Sequence, residues 1–437
     1  MIIQGIKKLK NLNFLLAYSG GIDSTFLLHQ LLKIRKIRPQ FQFRTIHINH
    51  QLNQYSSSWS QHCKKTCEKY NIPILIKKIT INKKKIGIEA ASRLQRYKTI
   101  FNEALPKEII LIAHNLDDQC ETFFLSLKRG SGISGLSGMP NKRKLFNKNV
   151  IVRPMLNITR SEIKNWMIKN KIPWIEDKSN YDLSYDRNFL RQKIFPLIET
   201  KWPNFINKCA KSISILKKEK NILDSTINKK LQKCLVSKSI LNIKNFNTMS
   251  PSIRNLLLRM WIKKNNFVVP SHKIITNIYY EIILSKINSQ AKIQISNYEI
   301  KKYQYKLYIT HTMPCIKKMI LMWYFPWKNL KLPNKLGYIT QNKYGTTLPC
   351  PKKNELVNIR FQISGKISIH SNKKAKLIKK MWKENKIASW NRNNIPLLFY
   401  NNKFISALGV FTSSKQHQKN IKSTWNLSWI NKIDKQS

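Results

Sequence analysis

Three short stretches of this chain combine residue types that could do chemistry. The first is Ser19-Gly20-Gly21-Ile22-Asp23-Ser24, between the apolar run Phe14–Tyr18 and the residues Phe26, Leu27, Leu28, Leu31 and Leu32 at helical spacing. Two glycines between a strand and a helix make an anion site. The helix N-terminus offers unpaired N–H groups and partial positive charge, and glycine lets a phosphate approach the backbone. Ser19, Ser24 and Thr25 add hydroxyls, and Asp23 is a carboxylate able to hold a Mg²⁺ that bridges phosphate oxygens. No Lys follows the glycines, so the loop is not a Walker A loop, and it lacks the three-glycine dinucleotide fingerprint. The second stretch is His114-Asn-Leu-Asp117-Asp118-Gln-Cys-Glu121, in which His114, Asp118 and Glu121 can share one helix face. Such carboxylates suit Mg²⁺ or general-base work on a nucleophile; they also suit the start of a helix, where acids complement the dipole. The third holds Arg187 and Arg191, four apart, which could grip phosphate or belong to a surface ion-pair array.

The elements that position these groups alternate along the first 130 residues. Strands are expected after residue 13, at Phe41–Ile48, Ile72–Ile79 and Ile109–Ala113, and helices at Tyr55–Tyr70, Ile88–Glu103 and Asp117–Leu127. That alternation implies a doubly wound parallel sheet, in which ligands bind beyond the carboxyl ends of the strands. The turns after Tyr18, Ile48 and Ala113 should therefore converge. A Gly/Ser loop, Arg129–Met139, holds four glycines in nine residues and suits either a linker or a backbone that wraps a substrate. Thr159-Arg-Ser-Glu162 is a capping box opening a helix to about Lys169.

Composition bounds the partners. The chain has 437 residues, room for two or three domains, and a formal net charge of +59. A polyanion is the natural partner, although the Lys/Asn/Ile bias of an AT-rich genome accounts for part of the excess. Fourteen of the 21 acidic residues precede residue 200, leaving an acid-poor C-terminal half suited to gripping a polyanion. No apolar run reaches the roughly 18–20 residues of a membrane span, and the start does not read as a signal peptide. A cytoplasmic protein with no membrane partner is the expectation. The seven scattered cysteines, with no Cys-x-x-Cys pair, exclude a disulfide framework and a cysteine-held cluster.

The hexapeptide Ser19–Ser24 resembles the PP-loop of the ATP pyrophosphatases, which cleave ATP between the α- and β-phosphates. Further motifs follow in order: Glu89-Ala-Ala-Ser-Arg93-Leu-Gln-Arg96-Tyr97, His114–Glu121, Arg129–Met139, and Glu176-Asp177-x-Ser179-Asn180 with Arg187-Asn-x-x-Arg191. Together they resemble the tRNA(Ile)-lysidine synthase family across essentially the whole chain. The resemblance implies a PP-loop, Rossmann-like α/β domain over 1–205, and a linker helix with a mainly helical tRNA-binding domain over 206–315. It implies a loosely patterned connector over 316–352 and an α+β tRNA-binding domain over 353–437. It also implies ATP and Mg²⁺, free lysine, and an isoleucine tRNA with a CAU anticodon, whose wobble cytidine becomes lysidine. Ser19, Gly20, Gly21, Ile22, Asp23 and Ser24 would bind ATP, with Asp23 the Mg²⁺ ligand. Asp23, His114, Asp118 and Glu121 would be catalytic. Glu89, Arg93, Arg187 and Arg191 would bind substrate or phosphate. The oligomeric state is open, with a homodimer among the options. Competing readings are a PP-loop tRNA thiolase, for which suitable catalytic cysteines are missing, and a noncatalytic tRNA-binding protein.

Overall fold

The computed structural model describes residues 13–51, 55–79, 88–144, 149–286, 289, 291–367, 376–413 and 423–431. The chain forms two compact units, 1–224 and 225–437.

The first unit is built on β1 (Asn13–Ala17), whose Phe14, Leu15 and Leu16 are all buried. Consecutive burial means that both faces of the strand are covered, as parallel α/β sheets require. Gly21 caps α1 (Ile22–Ile37), which carries Asp23 in its first turn and Arg35 and Lys36 in its last, in accord with the helix dipole. Phe26, Leu27, Leu28 and Leu31 seat α1 in the same core as Phe14 and Leu16. There follow β2 (Gln42–Asn49), α2 (Ser56–Lys69), β3 (Ile74–Lys78), α3 (Ile88–Glu103), β4 (Ile109–Leu111), α4 (Leu116–Lys128), the single turn α5 (Ile133–Leu136), β5 (Lys142–Lys144), β6 (Val150–Val152) and α6 (Arg160–Lys169). The strand order is β3-β2-β1-β4-β6-β5. All neighbours run parallel except the edge strand β5. The order turns between β1 and β4, and a crevice opens at the carboxyl ends of strands at such a switch point. The loops carrying Asp23 and Asn115 leave the sheet there.

The second unit follows the helix α7 (Phe205–Cys234), within which the boundary falls. It is richer in strand than its sequence suggests. The expected helix is present as α8 (Pro251–Lys264), which buries Leu257, Leu258 and Trp261. It is accompanied by a five-stranded sheet of β7 (Leu235–Ser237), β8 (Ile240–Asn242), β9 (Lys292–Ile295), β10 (Tyr298–Tyr303) and β11 (Lys306–His311). The region expected to be a loosely patterned connector carries β12 (Ile320–Trp323), β13 (Leu330–Lys331) and the 12-residue β14 (Tyr338–Pro349). Beyond it, β15 (Val357–Arg360) joins the sheet of β12, and β16 (Lys366–Ile367) and β17 (Lys376–Leu377) pair as a short ribbon. The helix α9 (Ile378–Glu384) buries Met381 and Trp382. Then come β18 (Leu397–Tyr400), β19 (Lys403–Ala407), β20 (Phe411–Thr412) and β21 (Thr424–Ile430). No helix among the described residues is long and apolar enough to cross a membrane.

Candidate active site

The loop after β1 is held from within. Ser24 Oγ donates to the Gly21 carbonyl (3.0 Å) and accepts from the Ser19 amide (3.2 Å), and Ser19 Oγ lies 3.0 Å from Ser24 Oγ. Thr25 Oγ1 donates to the Gly20 carbonyl at 3.1 Å. Gly20 has φ +81°, and a Cβ there would lie 2.6 Å from Ile175 Cδ1 and 2.9 Å from Cys63 Sγ. The Ile175 amide donates to the Gly20 carbonyl at 2.9 Å, so the segment 174–176 is stitched to the loop. Ile22 contributes backbone only, since its side chain is buried in the core. Ser19, Gly21 and Asp23 remain accessible.

The acidic stretch meets this loop directly. Asn115 caps α4: its Oδ1 accepts from the Asp118 amide (2.9 Å), and Asp118 Oδ2 accepts from the Asn115 amide (2.9 Å). Asn115 Nδ2 also donates to Asp23 Oδ1 at 2.9 Å. One asparagine thus caps a helix and joins two motifs 92 residues apart. Burial and the nearby Asp118 carboxylate push the Asp23 carboxyl above its ordinary range. Asp117 points away and accepts from the Arg160 amide (2.8 Å), which fastens α6 to α4.

Arg187 and Arg191 approach these acids from a helical stretch that includes the π turn Leu190–Ile194. Arg191 Nε and Nη2 both donate to Glu121 Oε1 (2.8 and 2.5 Å), and Nη2 reaches Asp118 Oδ1 at 3.4 Å. Arg187 lies 3.7 Å from Glu121 Oε2. Glu121 is wholly buried. Burial, opposed by Arg191, raises its carboxyl to about 7. Asp118 belongs to the capping box and also contacts Arg191.

His114 occupies the other flank. Arg153 Nε donates to His114 Nδ1 at 3.2 Å, so the neutral ring carries its proton on Nε2. Burial lowers His114 to about 3, against the pull of Asp118 and with the help of Arg153, Arg93 and Arg96. Arg153 is buried and also binds Tyr97 and the Pro140 carbonyl. His50, near Arg96, is lowered to about 4 by burial and by that arginine. Arg93, Arg96 and Arg153 therefore gather positive charge around two neutral histidines. The structure brings Ser19–Ser24, His114, Asp118, Glu121, Arg93, Arg187 and Arg191 into one neighbourhood. Glu89 falls in α3, but its side chain lies outside the described residues.

Asn115 and Arg153 were not singled out from the sequence. Asn115 has a local signal, an Asn three residues before an Asp at a helix start, which is a cap signature. Arg153 has none, because its partners come from α3, the turn between β4 and α4, and the residue after the Gly/Ser loop. Among the described residues no group of three or more His, Cys, Asp or Glu could enclose a metal. The donor set instead fits Mg²⁺ as it usually binds nucleotides, by one or two carboxylates shared with phosphate oxygens. Asp23, with the Asp118 carboxylate near it, is such a donor.

Three family models match: the PP-loop domain over residues 2–198, the TilS substrate binding domain over 241–308, and the TilS substrate C-terminal domain over 357–429. The chain is 52% identical to tRNA(Ile)-lysidine synthase of Buchnera aphidicola subsp. Baizongia pistaciae, covering 99% of each chain. It is 46% identical to that of Buchnera aphidicola subsp. Schizaphis graminum, covering 99% of this chain and 98% of the relative. It is 35% identical to that of Photorhabdus laumondii, covering 95% and 94%. A phosphate-binding loop tied to an acid cluster, followed by both substrate domains over a full-length match, makes this chain a member of the tRNA(Ile)-lysidine synthase family.

Proposed function

We propose that this protein ligates free lysine to the wobble cytidine of the CAU anticodon of an isoleucine tRNA, converting ATP to AMP and pyrophosphate. The product, lysidine, shifts decoding from AUG to AUA. The observation that carries this reading is the Asn115–Asp23 hydrogen bond, which makes the phosphate loop and the acid cluster one site.

The cytosine carbonyl oxygen is a poor leaving group. It attacks the ATP α-phosphorus, the bond to the β-phosphate bridge breaks, and pyrophosphate leaves. The lysine ε-amine then attacks the activated ring carbon, and AMP departs with the oxygen. Ser19, Gly20, Gly21 and Ser24 cradle the pyrophosphate through hydroxyls and backbone amides at the start of α1. Asp23, with Asp118 near it, would hold Mg²⁺ against the phosphates, where the cation offsets the charge on the departing pyrophosphate. Only a neutral amine attacks, so the lysine ammonium must lose a proton. Asp118 is the acceptor nearer the ATP loop and is 9% exposed, whereas Glu121 is wholly buried and fixes Arg191. His114 Nε2–H is a neutral donor toward the base or the adenylate. Arg93 and Arg187 supply charge for tRNA phosphates.

The test is incubation with ATP, labelled lysine and unmodified CAU-anticodon isoleucine tRNA. Label should enter that tRNA and not methionine tRNAs, and Asp23→Ala should abolish it. Absence of transfer by the wild-type protein would sink the reading. Asp118→Asn should cut lysine transfer by about 10²-fold or more.

A further inference from the structure

In the first unit, β4 and β6 are parallel neighbours, paired at Leu111 and Val152. His114 and Arg153 lie just past the carboxyl ends of these two strands, and their side chains meet through the 3.2 Å bond from Arg153 Nε to His114 Nδ1. Arg153 is itself tied down. Its amide donates to the Asn141 carbonyl (2.8 Å), its Nη1 donates to the Pro140 carbonyl (2.9 Å), and the Tyr97 phenol of α3 bonds its guanidinium. Those anchors are held in turn. Lys217 Nζ donates to Asn141 Oδ1 at 2.9 Å. Gln119 donates to the Met139 carbonyl and accepts from the Met139 amide, at 2.9 and 2.6 Å. The end of the Gly/Ser loop is thus clamped, Arg153 is fixed to that end and to α3, and the His114 ring is fixed to Arg153.

Arg153 is only 5% exposed, yet among the described residues no carboxylate pairs with it. Burying a cation among neutral partners costs free energy that an apolar side chain of similar size would not. An arginine does supply one property in return: it is always protonated and has no acceptor atom. The ring nitrogen it meets must therefore offer a lone pair. A backbone carbonyl or carboxylate, a frequent partner of Nδ1, would select the opposite tautomer. With Nδ1 occupied, the neutral ring carries its one proton on Nε2. His114, which stays partly exposed, can then donate to a carbonyl, ring-nitrogen or phosphate acceptor but cannot take the proton of the lysine ammonium.

We propose that Arg153 is a positioning residue for lysine transfer, which holds His114 as a fixed Nε2–H donor. This rests on the lysidine reading above. Two measurements on the full chain test it. Nitrogen-15 NMR of histidine-labelled protein, with the His114 signals identified by their loss in His114→Ala, should show the Nε2–H tautomer in wild type and a mixture of tautomers in Arg153→Met. A double-mutant cycle on kcat for lysine transfer should show Arg153→Met costing about 10²-fold with His114 present, the effect of a misplaced donor. In the His114→Ala background the same change should cost less than about twofold. If Arg153→Met does not fold, Tyr97→Phe, which removes one anchor of Arg153, carries the cycle with a loss of about threefold that needs His114. An Nδ1–H ring in wild type overturns the proposal. So does an unchanged tautomer in Arg153→Met, or an equal loss of kcat with and without His114. Absence of lysine transfer by wild type would overturn the lysidine reading, whereas an Nδ1–H ring in a wild type that transfers lysine overturns this assignment alone.

Discussion

At the scale of single residues, glycine and a buried carboxylate set the strongest constraints. Gly20 and Gly21 are neighbours in one motif but not equivalent. Gly20 sits at φ +81° with Ile175 and Cys63 where a Cβ would go, whereas Gly21 has φ −71° and open space out to 3.5 Å. Gly20→Ala should therefore cost about 1–3 kcal/mol in urea denaturation. Gly21→Ala should leave that stability nearly unchanged and weaken only nucleotide binding. Glu121 gives a pH signature of unusual sign. Its carboxyl is raised from 4.5 unfolded to about 7 folded. Between those values the folded state holds a proton that the unfolded state has lost, so this group's stabilising contribution falls as pH rises through the window. The stability of wild type relative to Glu121→Gln, followed by urea melts from pH 4.5 to 7, should fall as pH rises; a constant difference would refute the raised carboxyl.

At the scale of elements, α4 is the hinge between fold and chemistry. Its cap is also the group that orients Asp23, so stability and activity are coupled at Asn115 but separable by substitution. Asn115→Ala should lose about 1 kcal/mol of stability with the cap and also lower ATP–pyrophosphate exchange. Asn115→Ser keeps a capping oxygen but has no amide to reach Asp23. It should recover the stability and not the exchange. Recovery of both would show that Asp23 needs no orientation by its neighbour. On the far side of the sheet edge, Arg44 clamps Glu108 with two hydrogen bonds of 2.8 Å, which fixes β2 against the loop before β4.

At the scale of the whole molecule, the charge of +59 governs association. If the basic residues contact tRNA phosphates, binding releases condensed counterions, and the affinity falls steeply with salt. Between about 50 and 200 mM salt, tRNA affinity should drop by about 10³-fold or more for six or more phosphate contacts. A nearly flat dependence in a titration would assign the charge to composition alone.

The α/β first unit was legible because its signals are local. Apolar runs, helical spacing and the glycine turn name β1, α1 and their loop without reference to anything distant, and the capping box at Thr159 is written within four residues. The order of motifs was enough to suggest the family. What the sequence could not carry is pairing across distance. Residues 338–349 look unpatterned, yet they form a long strand because β21, Thr424–Ile430, pairs with them from far along the chain. Gly337 and Gly345 admit that approach: a Cβ at either would lie within 2.5 Å of the β21 backbone. The same limit applies in the site. The residue types of Asp118, Glu121, Arg187 and Arg191 were plain, but their division of labour was not. Only the tertiary structure buries Glu121 under Arg191 and turns Asp118 toward Asp23, because burial and charge pairing depend on which elements pack together. The chemistry available was determined by the sequence; which carboxylate borders the ATP loop and which is locked under an arginine was decided by the fold.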